Sequence, residues 1–379
     1  MYSHSDIQDA VEGGALSAEQ AASLRNFHAA RTGTPTPDEE HVRLLQGFND
    51  LYVYASSILL MIGLGWLGSK VEVGRGPSFV MPLLVALGCW GLAEYFVRRK
   101  RLALTAITLT WVFVYAVFFT LVLLAAQVLE GGDRTTQQLV MAVAAALGAG
   151  AAFLHWKRFG EPIAVSLVLT MLAFAVMSLV GAIMPSDPDG TVSSIVMLLL
   201  GLATLFYALT WEARDIHRIT KQSDIAFWLH FAAAWEIAFG VAGLLGLMGY
   251  VSQGSAIGAI VVFVILTLIG IILDRRVYVL LGAWLLGIGL YTLIRGDPMS
   301  GNSPYGSEYG SSYGYSPYGM GMGDTVDSAM LTVLIVGVVL VVLGMFWTQI
   351  RGGLSGLAAP LAGKVPPARQ GDGQGKAFE

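Results

Sequence analysis

Charge is what this sequence has least of. Asp, Glu, Lys and Arg make up 13% of its residues, about half the share of a soluble domain. That deficit, with 55% hydrophobic residues and a mean hydropathy of +0.66, excludes an ordinary water-soluble globule. A net charge of −4 offers no basic surface for nucleic acid. Cysteine is nearly missing: there is one, Cys89, inside an apolar run. That excludes an intrachain disulfide and a cysteine-based zinc site, and leaves the redox compartment unreadable. The six histidines show no metal-ligand spacing. P-loop, G-x-S-x-G and H-E-x-x-H motifs are missing. Residues 63–68 spell G-x-G-x-x-G, but inside a long apolar run, not between a strand and a helix, so they are no dinucleotide site. No cofactor, metal or catalytic constellation is expected. The polar N-terminus has no charged segment leading an apolar one, so no cleaved signal peptide is expected.

What the chain does have is apolar runs of membrane length. Lipid allows only helices and closed barrels, and runs such as 102–129 lack the two-residue alternation of a barrel strand. The expected fold is all-α, a polytopic helical bundle. Ten spans are read, near 51–67, 77–97, 102–128, 137–156, 162–184, 191–211, 225–250, 255–273, 277–294 and 328–350. Connections after the even spans hold Arg98-Arg99-Lys100-Arg101, Lys157-Arg158, Arg214/Arg218/Lys221 and Arg275-Arg276. Those after odd spans hold only Lys70, Arg75, Arg134 and Arg295, so 18 of the 22 basic residues fall on one side. By the positive-inside rule that side is cytoplasmic, with both termini. The basic turns recur at similar steps, as any alternating stack of spans with short loops gives. Trp66, Trp156, Trp211, Trp228 and Trp347 sit near span ends, as interface anchors do.

Three segments flank or interrupt the bundle. Residues 1–50 form a cytoplasmic helical preface. A helix over 5–12 is stopped by Gly13-Gly14, and Ser17 with Gln20 closes a capping box on a second helix. Thr36-Pro37-Asp38 starts a third. Residues 295–325 are an outside loop rich in Gly, Tyr and Ser, read as solvated; an adhesive or glycan-facing role is the sharper alternative. Residues 351–379 read as a disordered cytoplasmic tail.

Glu236 is the sharpest candidate for function. It lies close to the middle of the apolar stretch 225–250, and no other span carries a carboxylate so deep. Charge at that depth is costly and tends to mark an ion or proton path. Leu229, Ala232, Ala233, Gly240 and Gly243 share its helical face and are mostly small, which suits close helix packing. Trp228, Phe231 and Trp235 point elsewhere. The competing reading is a neutral Glu that hydrogen-bonds a neighbouring helix. His230, the second candidate for the proton or ion site, lies on the same span but about 120° around the helix, so the two do not stack; the readings are a water-linked relay or, favoured, a structural histidine. Glu94 and Glu212 are weaker candidates. An i,i+4 pair with Arg98 accounts for Glu94, and a mixed-charge interfacial turn accounts for Glu212, Arg214, Asp215, His217 and Arg218. The 274–276 turn and His155 read as interfacial too. Ala142, Ala146 and Gly150 read as a small-residue packing face.

The run Gly14-Ala15-Leu16-Ser17-Ala18-Glu19-Gln20-Ala21 resembles the short helical segment that opens a family of bacterial multi-span membrane proteins whose function is not known. The resemblance implies a bacterial inner-membrane location and brings no activity or functional residues. The leading expectation is a transporter or channel-like protein with Glu236 as its proton or cation site. One alternative is a non-transporting envelope protein that binds partners through its preface, loop or tail. Another is a lipid-processing enzyme, which lacks a catalytic cluster. The partners expected are the lipid bilayer and a small solute or a protein.

Overall fold

The computed structural model describes residues 7, 10–21, 23–24, 48–74, 77–100, 102–129, 132–184, 186–187, 190–215, 218, 220–248, 251–296 and 322–354. The third preface helix, the centre of the Tyr/Gly loop and most of the tail lie outside these residues. Among the described residues every regular element is a helix. Ten are long and apolar enough to cross a membrane: α1 (Phe48–Ser69), α2 (Val80–Leu92, continued by a π-helical turn Ala93–Val97), α3 (Ala103–Val128), α4 (Arg134–Phe159), α5 (Pro162–Ile183), α6 (Thr191–Glu212), α7 (Lys221–Leu244), α8 (Gln253–Leu273), α9 (Val277–Arg295) and α10 (Met322–Met345). A short α11 (Trp347–Gly353) follows.

Local chemistry sets the boundaries. In the preface, Gln20 N–H donates to Ser17 Oγ at 3.1 Å and Ser17 N–H to Gln20 Oε1 at 2.8 Å, which is the expected capping box. Just before it, Gly14 takes φ 72° while Ala15 N–H reaches back to the Ala10 carbonyl at 2.8 Å, a Schellman close that needs a left-handed residue. Asp133 caps α4 by accepting from Thr136 N–H at 2.9 Å, and Gly160 closes it at φ 73°. These caps make α4 longer than the expected 137–156. Pro162 opens α5 at a position that needs no N–H.

Two ends differ from the expected spans. α7 starts earlier and stops at Leu244, not near Tyr250. Gly246 is left-handed at φ 67°, and Leu247 N–H bonds the Ala242 carbonyl at 2.8 Å, which ends the helix. The last span breaks at Phe346. α11 carries the chain on to Gly353, so residues 351–353 are helical where a disordered tail was expected.

Contacts divide the chain into two compact units, one of residues 1–188 and 199–233, the other of 189–198 and 234–379. The core of the first gathers Cys89, Val114, Ala145, Ala149, Ala152, Ile163 and Met171. On α4 the buried small residues are Ala142, expected on the packing face, with Ala144, Ala145, Gly148, Ala149 and Ala152, and Met171 Sδ would sit 3.3 Å from a Cβ added at Gly148. Ala146 and Gly150, expected on this face, are exposed. The helix therefore turns a face about one residue away from the expected one to its neighbours. In the second unit, Phe263, Ile271, Val279, Leu286 and Trp347 form the core. α8 and α9 touch closely, since a Cβ on Gly289 would lie 2.6 Å from the Ala256 carbonyl. Where lipid surrounds helices, such small-residue packing replaces the hydrophobic drive.

Candidate functional site

α7 is the most buried of the ten long helices, with 67% of its apolar window covered, against 6% for α10. Glu236 on α7 is 2% exposed. It lies 15 residues from Lys221 and 8 from Leu244, about 22 and 12 Å along the axis. The early stop at Leu244 thus moves it off the middle of the helix, while leaving it deeper than the interfacial layer. Its face is small and close to α6. A Cβ on Gly240 would stand 2.6 Å from Leu198 N and 2.8 Å from Leu198 Cα, and one on Gly243 would overlap Ser194 Oγ. Around the helix, Trp235 packs on Phe239 at 4.6 Å, and Phe239 stacks on Trp284 of α9 at 5.0 Å. Glycine contacts on one side and an aromatic stack on the other therefore fix α7 where it carries the carboxylate.

The two other candidates near α7, Glu212 and His230, meet each other. Arg218 Nε donates to Glu212 Oε1 at 2.9 Å, with Nη2 also at 2.9 Å. His230 Nε2 stands 3.3 Å from Glu212 Oε2. All three side chains are buried. Asp215 braces the connection by accepting from Thr220 N–H at 2.7 Å and Thr220 Oγ1 at 2.8 Å. This corrects the expected mixed-charge surface turn: Glu212, Asp215 and Arg218 face inward, while Arg214 is exposed, over the Trp211 ring at 4.6 Å. The reason is mutual neutralisation, since a carboxylate tolerates burial when a guanidinium comes with it. His217 lies outside the described residues.

Glu94 sits in the π-helical turn of α2. Its main partner is Arg158 of α4, with Nε to Oε1 at 2.7 Å and Nη2 to Oε2 at 3.0 Å. The Arg98 pair offered by the sequence is present but longer, at 3.5 Å. A fork-to-fork bridge is geometrically the stronger contact, so Glu94 joins α2 to α4.

Three features escaped sequence reasoning. His155 is fully buried rather than interfacial. It packs against Phe159 at 4.5 Å, Phe113 at 5.2 Å and Trp90 at 5.8 Å, with Nδ1 3.5 Å from Thr110 Oγ1. It continues the buried α4 face of Ala145, Ala149 and Ala152, a spacing that was the available signal. Asp274 likewise leaves the expected surface turn. It accepts from Trp347 Nε1 at 3.0 Å and pairs with Arg351 at 3.1 Å, so Trp347 is buried and is no interface anchor. Glu161, half-buried just before α5, has its carboxyl pushed up from 4.5 to about 7 by burial; Lys221 opposes and Asp224 adds to the rise.

Among the described residues no group of three His, Cys, Asp or Glu side chains is placed to hold a metal ion. Comparison with protein-family models, with curated proteins and with solved structures finds no match for this chain.

Proposed function

We propose that this chain is an integral protein of the bacterial inner membrane, with both termini cytoplasmic, that acts as a transporter or channel-like protein with Glu236 as its proton or cation site. The observation that carries the reading is a carboxylate 2% exposed, about 12 Å inside the end of the most covered apolar helix. Burying an ionisable group at that depth costs several kcal/mol unless its charge is used or neutralised. The close glycine contacts to α6 at Gly240 and Gly243 hold the helix that carries this carboxylate in a fixed place. The Gly-Ala-Leu-Ser-Ala-Glu-Gln-Ala resemblance supports the bacterial location, and the one-sided basic residues support the orientation.

The test is Glu236→Gln in proteoliposomes, with a trapped pH dye reporting proton movement under imposed proton, Na⁺ or K⁺ gradients. Glutamine keeps the size and most hydrogen bonds but cannot ionise. The variant should fold and lose the coupled flux. Undiminished flux in Glu236→Gln, or none in the wild type, would defeat the reading. The second reading, an envelope protein that binds a protein partner, would then lead. It draws on α10, which its own chain leaves almost uncovered.

A further inference from the structure

A groove of about 210 Å³ lies between α1 and α3, lined by Tyr54, Ser57, Ile58, Met61, Thr108 and Leu109 among others. We infer that it holds an acyl chain of an anionic phospholipid whose headgroup is met by the basic turn Arg98-Arg99-Lys100. This inference shares the proposed membrane orientation but not the role of Glu236.

The lining chemistry argues for hydrocarbon. Of the four hydroxyl-bearing residues in the wall, three, Ser57, Thr105 and Thr108, have spent their hydrogens, and the fourth is Tyr54. Ser57 Oγ donates to the Val53 carbonyl at 2.7 Å, Thr108 Oγ1 to the Leu104 carbonyl at 3.1 Å, and Thr105 Oγ1 to Asp50 Oδ1 at 3.3 Å. What remains toward the groove is methyl and methylene surface from Ile58, Met61, Leu109 and Val112. A polar solute would lose its water there without replacement. The volume is several times the ~30 Å³ share of one water, yet below the usual 300–1,000 Å³ of small-ligand sites. It suits a stretch of chain, not a compact solute.

Position supplies the headgroup. The groove runs along the middle of α1, from Tyr54 to Ile62, and along the first half of α3, from Thr105 to Val112, so its open course starts toward the N-terminal ends of both helices. On the proposed orientation that is the cytoplasmic leaflet, where anionic lipids and basic turns meet. Arg98, Arg99 and Lys100 are all exposed and directly precede α3. Arg98 also shares Glu94 at 3.5 Å, so Arg99 and Lys100 are the chief headgroup contacts. Asp50, outside the lining, is buried and accepts from the lining Thr105, and so leaves the exposed basic turn as the charge a headgroup meets.

The experiment is native mass spectrometry of the full chain in detergent, with added phosphatidylglycerol or phosphatidylethanolamine. Wild type should retain phosphatidylglycerol in preference. Ile58→Trp, which fills the groove, should retain about tenfold less of it. Arg99→Gln with Lys100→Gln, both on the surface and leaving Arg98 and Arg101 in the turn, should lose about tenfold too. Leu147→Trp, on the exposed face of α4, should retain it fully. Equal retention of the two lipids, or undiminished phosphatidylglycerol in the filled or uncharged variant, overturns the inference. Glu236→Gln should keep the lipid, so failure here and failure of the transport reading are separate results.

Discussion

Replacing Arg218 by methionine is a direct test of the buried triad. Methionine keeps a long side chain but removes both nitrogens that hold Glu212 Oε1 at 2.9 Å. The two side chains are 7% and 1% exposed, so water reaches the remaining carboxylate poorly. Deleting one member of a buried pair costs about 3–5 kcal/mol, whereas replacing both members by neutral groups is often close to neutral. One term acts the other way. Arg218 has φ 52°, a left-handed backbone worth about 1–2 kcal/mol of strain in a non-glycine residue, and a released loop can relax it. The expected net loss for Arg218→Met is therefore about 1–4 kcal/mol. Glu212→Gln with Arg218→Met should recover most of that. Apparent melting midpoints from size-exclusion of a fluorescent fusion rank the three proteins without requiring two-state unfolding. A single variant as stable as wild type, or a double variant no better than the single, would refute the buried-pair account.

Other outcomes follow from the same geometry. Glu161 is protonated more readily in the folded chain, from 4.5 to about 7, so folding binds a proton there and stability falls as pH rises through that window. Glu161→Gln should leave the melting midpoint unchanged at pH 4.5 and raise it at pH 8; a gain of equal size at both values would sink this. Gly240→Ala must push Leu198 backbone atoms lying 2.6–2.8 Å from the new Cβ, while Gly150→Ala meets nothing within 4 Å. The first should lower the midpoint and the second should not, by the same chromatographic assay. Reporter fusions after Arg99, Lys157 and Arg276 should read cytoplasm, and fusions near residues 132 and 187 the outside; one inverted connection breaks the orientation.

Every long helix was visible in the sequence because a membrane span needs its own twenty apolar residues and little else. Ends set by nearby chemistry were visible too, as at Ser17 and Gln20 or at Gly14. The end of α7 was missed because Gly246 stops a helix in mid-run, where the hydropathy continues past it. Glu236 and His230 stood out as polar residues in an apolar span, while Glu212 was read only as part of a mixed-charge turn. Their partners did not. Arg158 lies 64 residues from Glu94, and no periodicity reports which distant turn a carboxylate will meet. The mixed-charge turns looked solvated because charge is ordinarily exposed. Burial reversed that at 212–218 and at Asp274, where opposite charges arrive together.

Asp274 has a consequence for how the protein is made. Its hydrogen-bond donor Trp347 follows it by 73 residues. At about 5–20 residues per second of synthesis, the carboxylate emerges roughly 4–15 seconds before its partners can exist. During that interval the α8–α9 hairpin is inserted with Asp274 lacking its bonds to Trp347 and Arg351. The ribosome must deliver α11 before the turn can close. A product ending in α10 would therefore keep the α8–α9 turn but lack the tie that joins it to the end of the last span.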